Sequence, residues 1–180
     1  MKVICFGDSN TYGYDPRSFL GDRYGPADRW PDILAAETGW NVENRGLNGR
    51  EIPGGPELFP ADTGLLTVML GTNDLLRGRS PAETAARMER FLAGLELEKG
   101  KILLIAPPPL AQGAWVMDRE LAENSAVLAG LYRTLSARLG IRFADAAGWG
   151  VTQTFDGVHF TEAGHRAFAA GLLRELAREI

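Results

Sequence analysis

The residues best placed for chemistry are a serine behind the first apolar run and a histidine near the end of the chain. Ser9 stands in Gly7-Asp8-Ser9-Asn10 and His159 in Asp156-Gly157-Val158-His159. A histidine with a carboxylate three residues earlier, and a glycine between them to allow a tight turn, can be held in one tautomer. It is then stabilised as imidazolium while it takes a proton from a hydroxyl. In that arrangement Ser9 is the nucleophile, His159 the general base and Asp156 the orienting carboxylate. Acyl transfer also needs donors where the tetrahedral oxyanion forms. Three segments offer them: the Ser9 backbone N–H, the Gly49 N–H in Gly46-Leu47-Asn48-Gly49, and the Asn73 amide in Gly71-Thr72-Asn73-Asp74. Each segment alone also reads as an ordinary turn, with Asp8 or Ser9 as a cap, Gly49 at positive φ, Asn73 as a cap and Asp156 as a turn former.

Such residues do chemistry only if the chain brings their loops together. Val3 to Phe6 is too short for a helix and too apolar for a loop, so it reads as a buried strand ending at Gly7. Residues 26–39 space Trp30, Ile33 and Leu34 as an amphipathic helix stopped by Gly39. Residues 40–44 alternate as a second strand, and the continuous apolar run 65–70 suits a third strand covered on both faces. Ser80-Pro81-Ala82-Glu83 is a helix start with a capping box, and that helix runs to about Leu95. A fourth strand, 101–106, is broken by Pro107-Pro108-Pro109. A helix over 118–139 stops at Gly140, a fifth strand covers 141–144, and a last helix follows Thr161 to the C-terminus. Segments 11–25 and 52–64 read as irregular. This alternation predicts one α/β domain over 1–180, a three-layer sandwich around a parallel sheet of about five strands. Right-handed crossovers then gather the strand ends at 7, 46, 71, 107 and 145 on one edge, where such folds bind ligands.

Composition narrows the function. With 45% hydrophobic and 23% charged residues the chain is that of a folded globular protein. A net charge of −4 with mixed signs offers no field for a phosphate backbone, so no nucleic-acid partner is expected. No apolar run matches a signal-peptide core or a membrane span, so a cytoplasmic protein without a membrane partner is expected. Cys5 is the single cysteine, inside the first strand, and is read as a small apolar side chain. His165, within the last helix, is read as packing or helix surface. Trp115, in the loop after the fourth strand, is expected to line the substrate pocket, with surface packing or a subunit contact as the alternative.

Taken in order, Gly-Asp-Ser-Asn, the glycine of Gly-Leu-Asn-Gly, Gly-Thr-Asn-Asp and Asp-Gly-Val-His resemble the blocks of the SGNH (GDSL-type) hydrolases. Cys-Phe-Gly-Asp-Ser, Asp-Arg-Trp, Met-Leu-Gly-Thr-Asn-Asp, Pro-Pro-Pro-Leu and Gly-Val-His-Phe-Thr-Glu-Ala are similar to the small bacterial arylesterase and acyltransferase branch. The resemblance implies a flavodoxin-like strand order 2-1-3-4-5 and a Ser9, His159, Asp156 triad. It also implies an oxyanion hole of Ser9, Gly49 and Asn73 and no cofactor or metal; Asp8, next to the nucleophile, is expected with Trp115 among the substrate-binding residues. The implied activity is ester hydrolysis with acyl transfer to alcohols beside it, and the lack of a long apolar segment to serve as a lid points to short, acetyl-like acyl groups. Segment 52–64 is shorter than the insertion such relatives carry there to narrow the entrance of their multi-subunit rings. A homo-oligomer and the depth of the pocket are therefore left open. Two rivals remain: a metal-dependent phosphoesterase using Asp8, Asn73, Asp74 and His159, and a non-catalytic flavodoxin-like binding module.

Overall fold

A computed structural model of the chain describes residues 1–18, 20 and 22–178. Five strands form one sheet: β1 (Lys2–Gly7), β2 (Asn41–Gly46), β3 (Leu65–Met69), β4 (Ile102–Ala106) and β5 (Arg142–Asp145). All pair in parallel in the order β2-β1-β3-β4-β5. This is the flavodoxin-like order, and β1 and β3 lie side by side at its centre. Every residue of β3 and β4 is buried, as a strand covered on both faces must be.

Alternate residues of the strands feed two cores. Ile4, Phe6, Leu66, Val68 and Leu104 pack on α4 (Pro81–Ala93) and α5 (Arg119–Leu139), through Met88, Phe91, Leu128 and Tyr132. On the opposite face Val3, Cys5, Met69, Leu103 and Ile105 meet Trp30 and Leu34 of α2 (Trp30–Thr38) and Phe168 and Leu172 of α6 (Glu162–Ala177). The period of two along each strand is what makes the sandwich three layers deep. No helix among the described residues is long and apolar enough to cross a membrane.

The differences from expectation are local. The helix expected over 26–39 is a 3-10 turn, Pro26–Asp28, followed by α2. Pro31 has no N–H to give and is tolerated only in a first turn, so α2 begins at Trp30 behind an extended Arg29. β2 runs two residues further than expected, to Gly46. Two short helical turns, α1 (Ser9–Tyr12) and α3 (Thr72–Leu76), stand where turns or loops were expected. Of the residues expected as loop or closing helix, 19, 21, 179 and 180 lie outside the described residues.

Candidate active site

β1 delivers its last residue beside the last residue of β2, and the chain turns at once into α1, whose first residue is Ser9. Close approach makes this turn possible. A Cβ on Gly46 would stand 2.0 Å from the Tyr12 backbone nitrogen, so only a glycine lets α1 sit on the end of the sheet. Asp8 caps α1, its Oδ1 accepting the Asn10 N–H at 2.9 Å. The backbone N–H groups of Thr11 and Tyr12 both reach the Asp8 carbonyl.

His159 arrives on the loop before α6. Its Nε2 lies 3.0 Å from Ser9 Oγ and its Nδ1 lies 2.7 Å from Asp156 Oδ2. All three side chains are buried. The other Asp156 oxygen accepts the backbone N–H groups of Val158 and His159 and the Thr154 hydroxyl, at 2.8 to 2.9 Å. Burial opposes ionisation of this carboxyl, but the His159 side chain and the two backbone donors outweigh it and bring its pKa down to about 2. It is therefore an anion in every neutral solution, and an anion on Nδ1 leaves Nε2 free to face the serine. Gly157, at φ +79°, makes the turn between the two residues, where a Cβ would meet the Ala111 carbonyl at 2.2 Å.

The three expected oxyanion donors face the same space. Neither the Ser9 nor the Gly49 backbone N–H has a protein acceptor among the described residues. Asn73 Nδ2 gives one hydrogen to the Arg50 carbonyl at 3.0 Å and keeps its second. That bond ties α3 to the 47–52 segment that carries Gly49. Next to it, Asp74 Oδ2 accepts the Ile52 N–H at 3.0 Å, Arg87 donates to the Ile52 carbonyl at 2.6 Å, and Arg87 Nε lies 3.0 Å from Asp74 Oδ1. Glu51 is paired with both Arg77 and Arg79.

Ser9, Gly49, Asn73, Trp115 and His159 line one open cavity of about 290 Å³, together with Tyr14 and Asn48. A larger groove, about 470 Å³ between residues 53–56 and α4, holds none of them. The His159 ring stands edge-on between Trp115, 5.2 Å away, and Tyr14, 4.8 Å away. Trp115 is half exposed, and its loop is fixed by backbone bonds from Ala114 to Phe155 and from Trp115 to Asp156. Nothing in the sequence marks Tyr14, which lies within the irregular segment 11–25, or Asn48, an ordinary turn residue beside Gly49.

Asp8, expected against the substrate, does not line the cavity. Its carboxylate is buried at the N-terminus of α1, where burial pushes its pKa up to about 6 against the Asn10 hydrogen bond and the nearby His159 and Arg50. His165 is wholly buried between Tyr24 and Phe160, a packing position and not a surface one. Cys5 is buried in β1, where desolvation raises its thiol to about 12. Among the described residues no three His, Cys, Asp or Glu side chains are arranged to hold a metal ion.

Comparison with known proteins bears on the family and the fold. Residues 5–167 match the profile of the GDSL-like lipase/acylhydrolase family. A carbohydrate acetylesterase from Sinorhizobium meliloti superposes with a TM-score of 0.83 at 27% identity, covering 99% of each chain. An aryl esterase of M. smegmatis superposes with a TM-score of 0.81 at 28% identity, again over 99% of each chain. An isoamyl acetate-hydrolyzing esterase 1 homolog from Bos taurus is 27% identical over 136 residues, which are 65% of this chain and 51% of that protein. The chain thus spans about half the length of that relative.

Proposed function

The chain belongs to the GDSL-like lipase/acylhydrolase family, and from that premise we propose that it is a serine esterase acting on small, uncharged carboxylic esters. The observation that carries the reading is the unbroken line from Asp156 through His159 to Ser9, with its contacts of 2.7 and 3.0 Å. Ser9 Oγ attacks the ester carbonyl as its proton passes to His159 Nε2, and the Asp156 anion stabilises the imidazolium that results. The oxyanion is received by the Ser9 and Gly49 N–H groups and the second hydrogen of Asn73 Nδ2. His159 returns the proton to the leaving alkoxide, which leaves an acyl-Ser9 ester. Water or a small alcohol, deprotonated by His159, then takes the acyl group. Hydrolysis and acyl transfer therefore share one intermediate.

A cavity of about 290 Å³ favours acetyl-like acyl groups over long chains, and none of its lining residues carries a fixed charge, which favours neutral esters. The names of the two structural neighbours, an acetylesterase and an aryl esterase, support the same substrate class. Nothing in this mechanism requires a cofactor, a membrane or a nucleic acid. The test is hydrolysis of p-nitrophenyl acetate by wild type and folded Ser9→Ala, each with and without chelator. The reading requires chelator-resistant turnover that Ser9→Ala loses. Turnover that survives the substitution removes Ser9 from the mechanism, and turnover lost to chelator favours the metal-dependent rival.

A further inference from the structure

We infer that Asn10 is a positioning residue for this reaction, holding His159 at its distance from Ser9 by bracketing the histidine's own backbone. The inference rests on the Ser9, His159 and Asp156 reading above. Asn10 follows Ser9 on α1 and is buried. Its Nδ2 donates to the Val158 carbonyl at 3.0 Å, and its Oδ1 accepts the Phe160 N–H at 2.9 Å. The two bonds fall on either side of residue 159. The partners also fix which end of the amide is which, because a carbonyl only accepts and a backbone N–H only donates. The rest of Asn10 is equally committed: its N–H donates to Asp8 Oδ1 at 2.9 Å and its carbonyl accepts Trp30 Nε1 at 3.1 Å.

The need for such a residue follows from where the orienting carboxylate sits. Asp156 is three residues before His159, on the same loop, so it sets the tautomer and tilt of the ring but moves with it. It cannot fix how far that loop stands from Ser9. Asn10 belongs to the helical turn of the nucleophile and holds the loop of the base, so one amide carries the register between segments 150 residues apart in the chain. A displacement of about 1 Å between reacting groups costs on the order of a hundredfold in rate. A side chain with no polar atoms at position 10 leaves the Val158 carbonyl and the Phe160 N–H unpaired in a buried place, and the segment around His159 loses its two direct ties to the turn of Ser9.

The experiment measures kcat and KM for p-nitrophenyl acetate in wild type, Ser9→Ala, Asn10→Ala, His159→Ala and the Asn10→Ala/His159→Ala double variant. Each protein is assayed well below its own melting temperature. Asn10→Ala is expected to lower kcat about 10- to 100-fold while KM changes by less than about threefold. With His159 removed, the same substitution should cost less than about twofold, because its effect runs through the missing imidazole. Asn10→Asp keeps the volume and the acceptor for Phe160 but loses the donor to Val158, so it should fall between; it carries the comparison should the alanine variant not fold. A folded Asn10→Ala or Asn10→Asp with unchanged kcat overturns the inference. So does an equal fold-loss with and without His159, which marks general damage instead of positioning. Wild-type turnover that is absent, or that survives Ser9→Ala, overturns the underlying reading and this inference together. Full activity in the Asn10 variants beside a dead Ser9→Ala overturns this inference alone.

Discussion

Replacing His165 with leucine should make the fold markedly less sensitive to mild acid. His165 is wholly buried, with the Tyr24 and Phe160 rings each 5.3 Å from its own and neither ring nitrogen hydrogen-bonded. Burial is the main reason its pKa falls from 6.5 to about 3; Glu162 opposes the shift, and Arg29 and His159 add to it. Between those two values the unfolded chain binds a proton that the folded chain refuses. The stability this neutral imidazole allows is therefore complete above about 6.5 and is lost as pH falls toward 3, at about 1.4 kcal/mol per unit inside that window. From pH 7 to pH 5 the loss comes to about 2 kcal/mol, and it depends little on where below pH 4 the folded value lies. Urea unfolding of wild type and His165→Leu at both pH values isolates it. Repacking around leucine shifts the variant at both pH values alike, and every other titrating group is common to the two proteins. The wild type should lose about 2 kcal/mol more than the variant. Equal losses would refute the reasoning, since they would mean that residue 165 takes up its proton without unfolding.

Three further outcomes follow from the same geometry. Asn73→Ala should leave a folded protein whose kcat for p-nitrophenyl acetate is lower by about two to three orders of magnitude, the cost of one oxyanion donor. Gly49 has φ +71°, and the nearest atom to an added Cβ is Arg77 Nη2 at 3.9 Å. Gly49→Ala therefore strains the backbone but keeps the N–H, and should lose less than about tenfold, whereas folded Gly49→Pro, which lacks the N–H, should approach the Asn73→Ala loss; equal losses in the two Gly49 variants would discount the backbone donor. Asp8 has a folded pKa raised from 3.8 to about 6, so its ionisation costs stability as pH rises through that window. Asp8→Asn, which keeps an acceptor for the Asn10 N–H, should gain about 1 kcal/mol on wild type between pH 5 and pH 8, read from urea midpoints.

Most of the fold is legible in the chain because its elements carry strong local marks. The apolar runs of β3 and β4 can only be strands covered on both faces, and Ser80 with Glu83 announces α4 through a capping box that the structure forms. What the sequence hides is set by tertiary contact. α1 and α3 are each one turn long, too short for any period, and exist because the sheet edge holds them: Gly46 makes room for α1, and Tyr132 bonds the Leu70 carbonyl just before α3. The candidate site follows the same division. Ser9, His159 and Asp156 announce themselves by residue type, and Asn73 and Gly49 by the turns they end. Tyr14 and Asn48 are ordinary residues in irregular segments, and only the folded chain brings them to the cavity. Asp8 shows the same limit: beside a reactive serine its carboxylate reads as a substrate contact, and only the folded chain shows it buried as the N-cap of α1 and apart from the residues that line the cavity.

The two halves of the site are held by one economy. On the nucleophile side, the residue after Ser9 ties down the loop of His159 through Val158 and Phe160. On the oxyanion side, the residue after Asn73 ties down the loop of Gly49, through the bond from Ile52 to Asp74, with Arg87 closing the circuit from α4. In both cases a group proposed for the chemistry comes from a strand end of the central sheet, and its sequence neighbour reaches across to the segment that carries its partner. A strand end is a rigid place to stand, whereas the 47–52 and 153–160 segments have no regular structure of their own. Rigidity is thus lent from the sheet to the loops one residue away from the groups that need it, and the polar side chains at 10 and 74 are spent on that loan instead of on substrate. Trp115, Tyr14 and Asn48 are left to line the cavity, while the distances within the proposed reaction are set from the sheet.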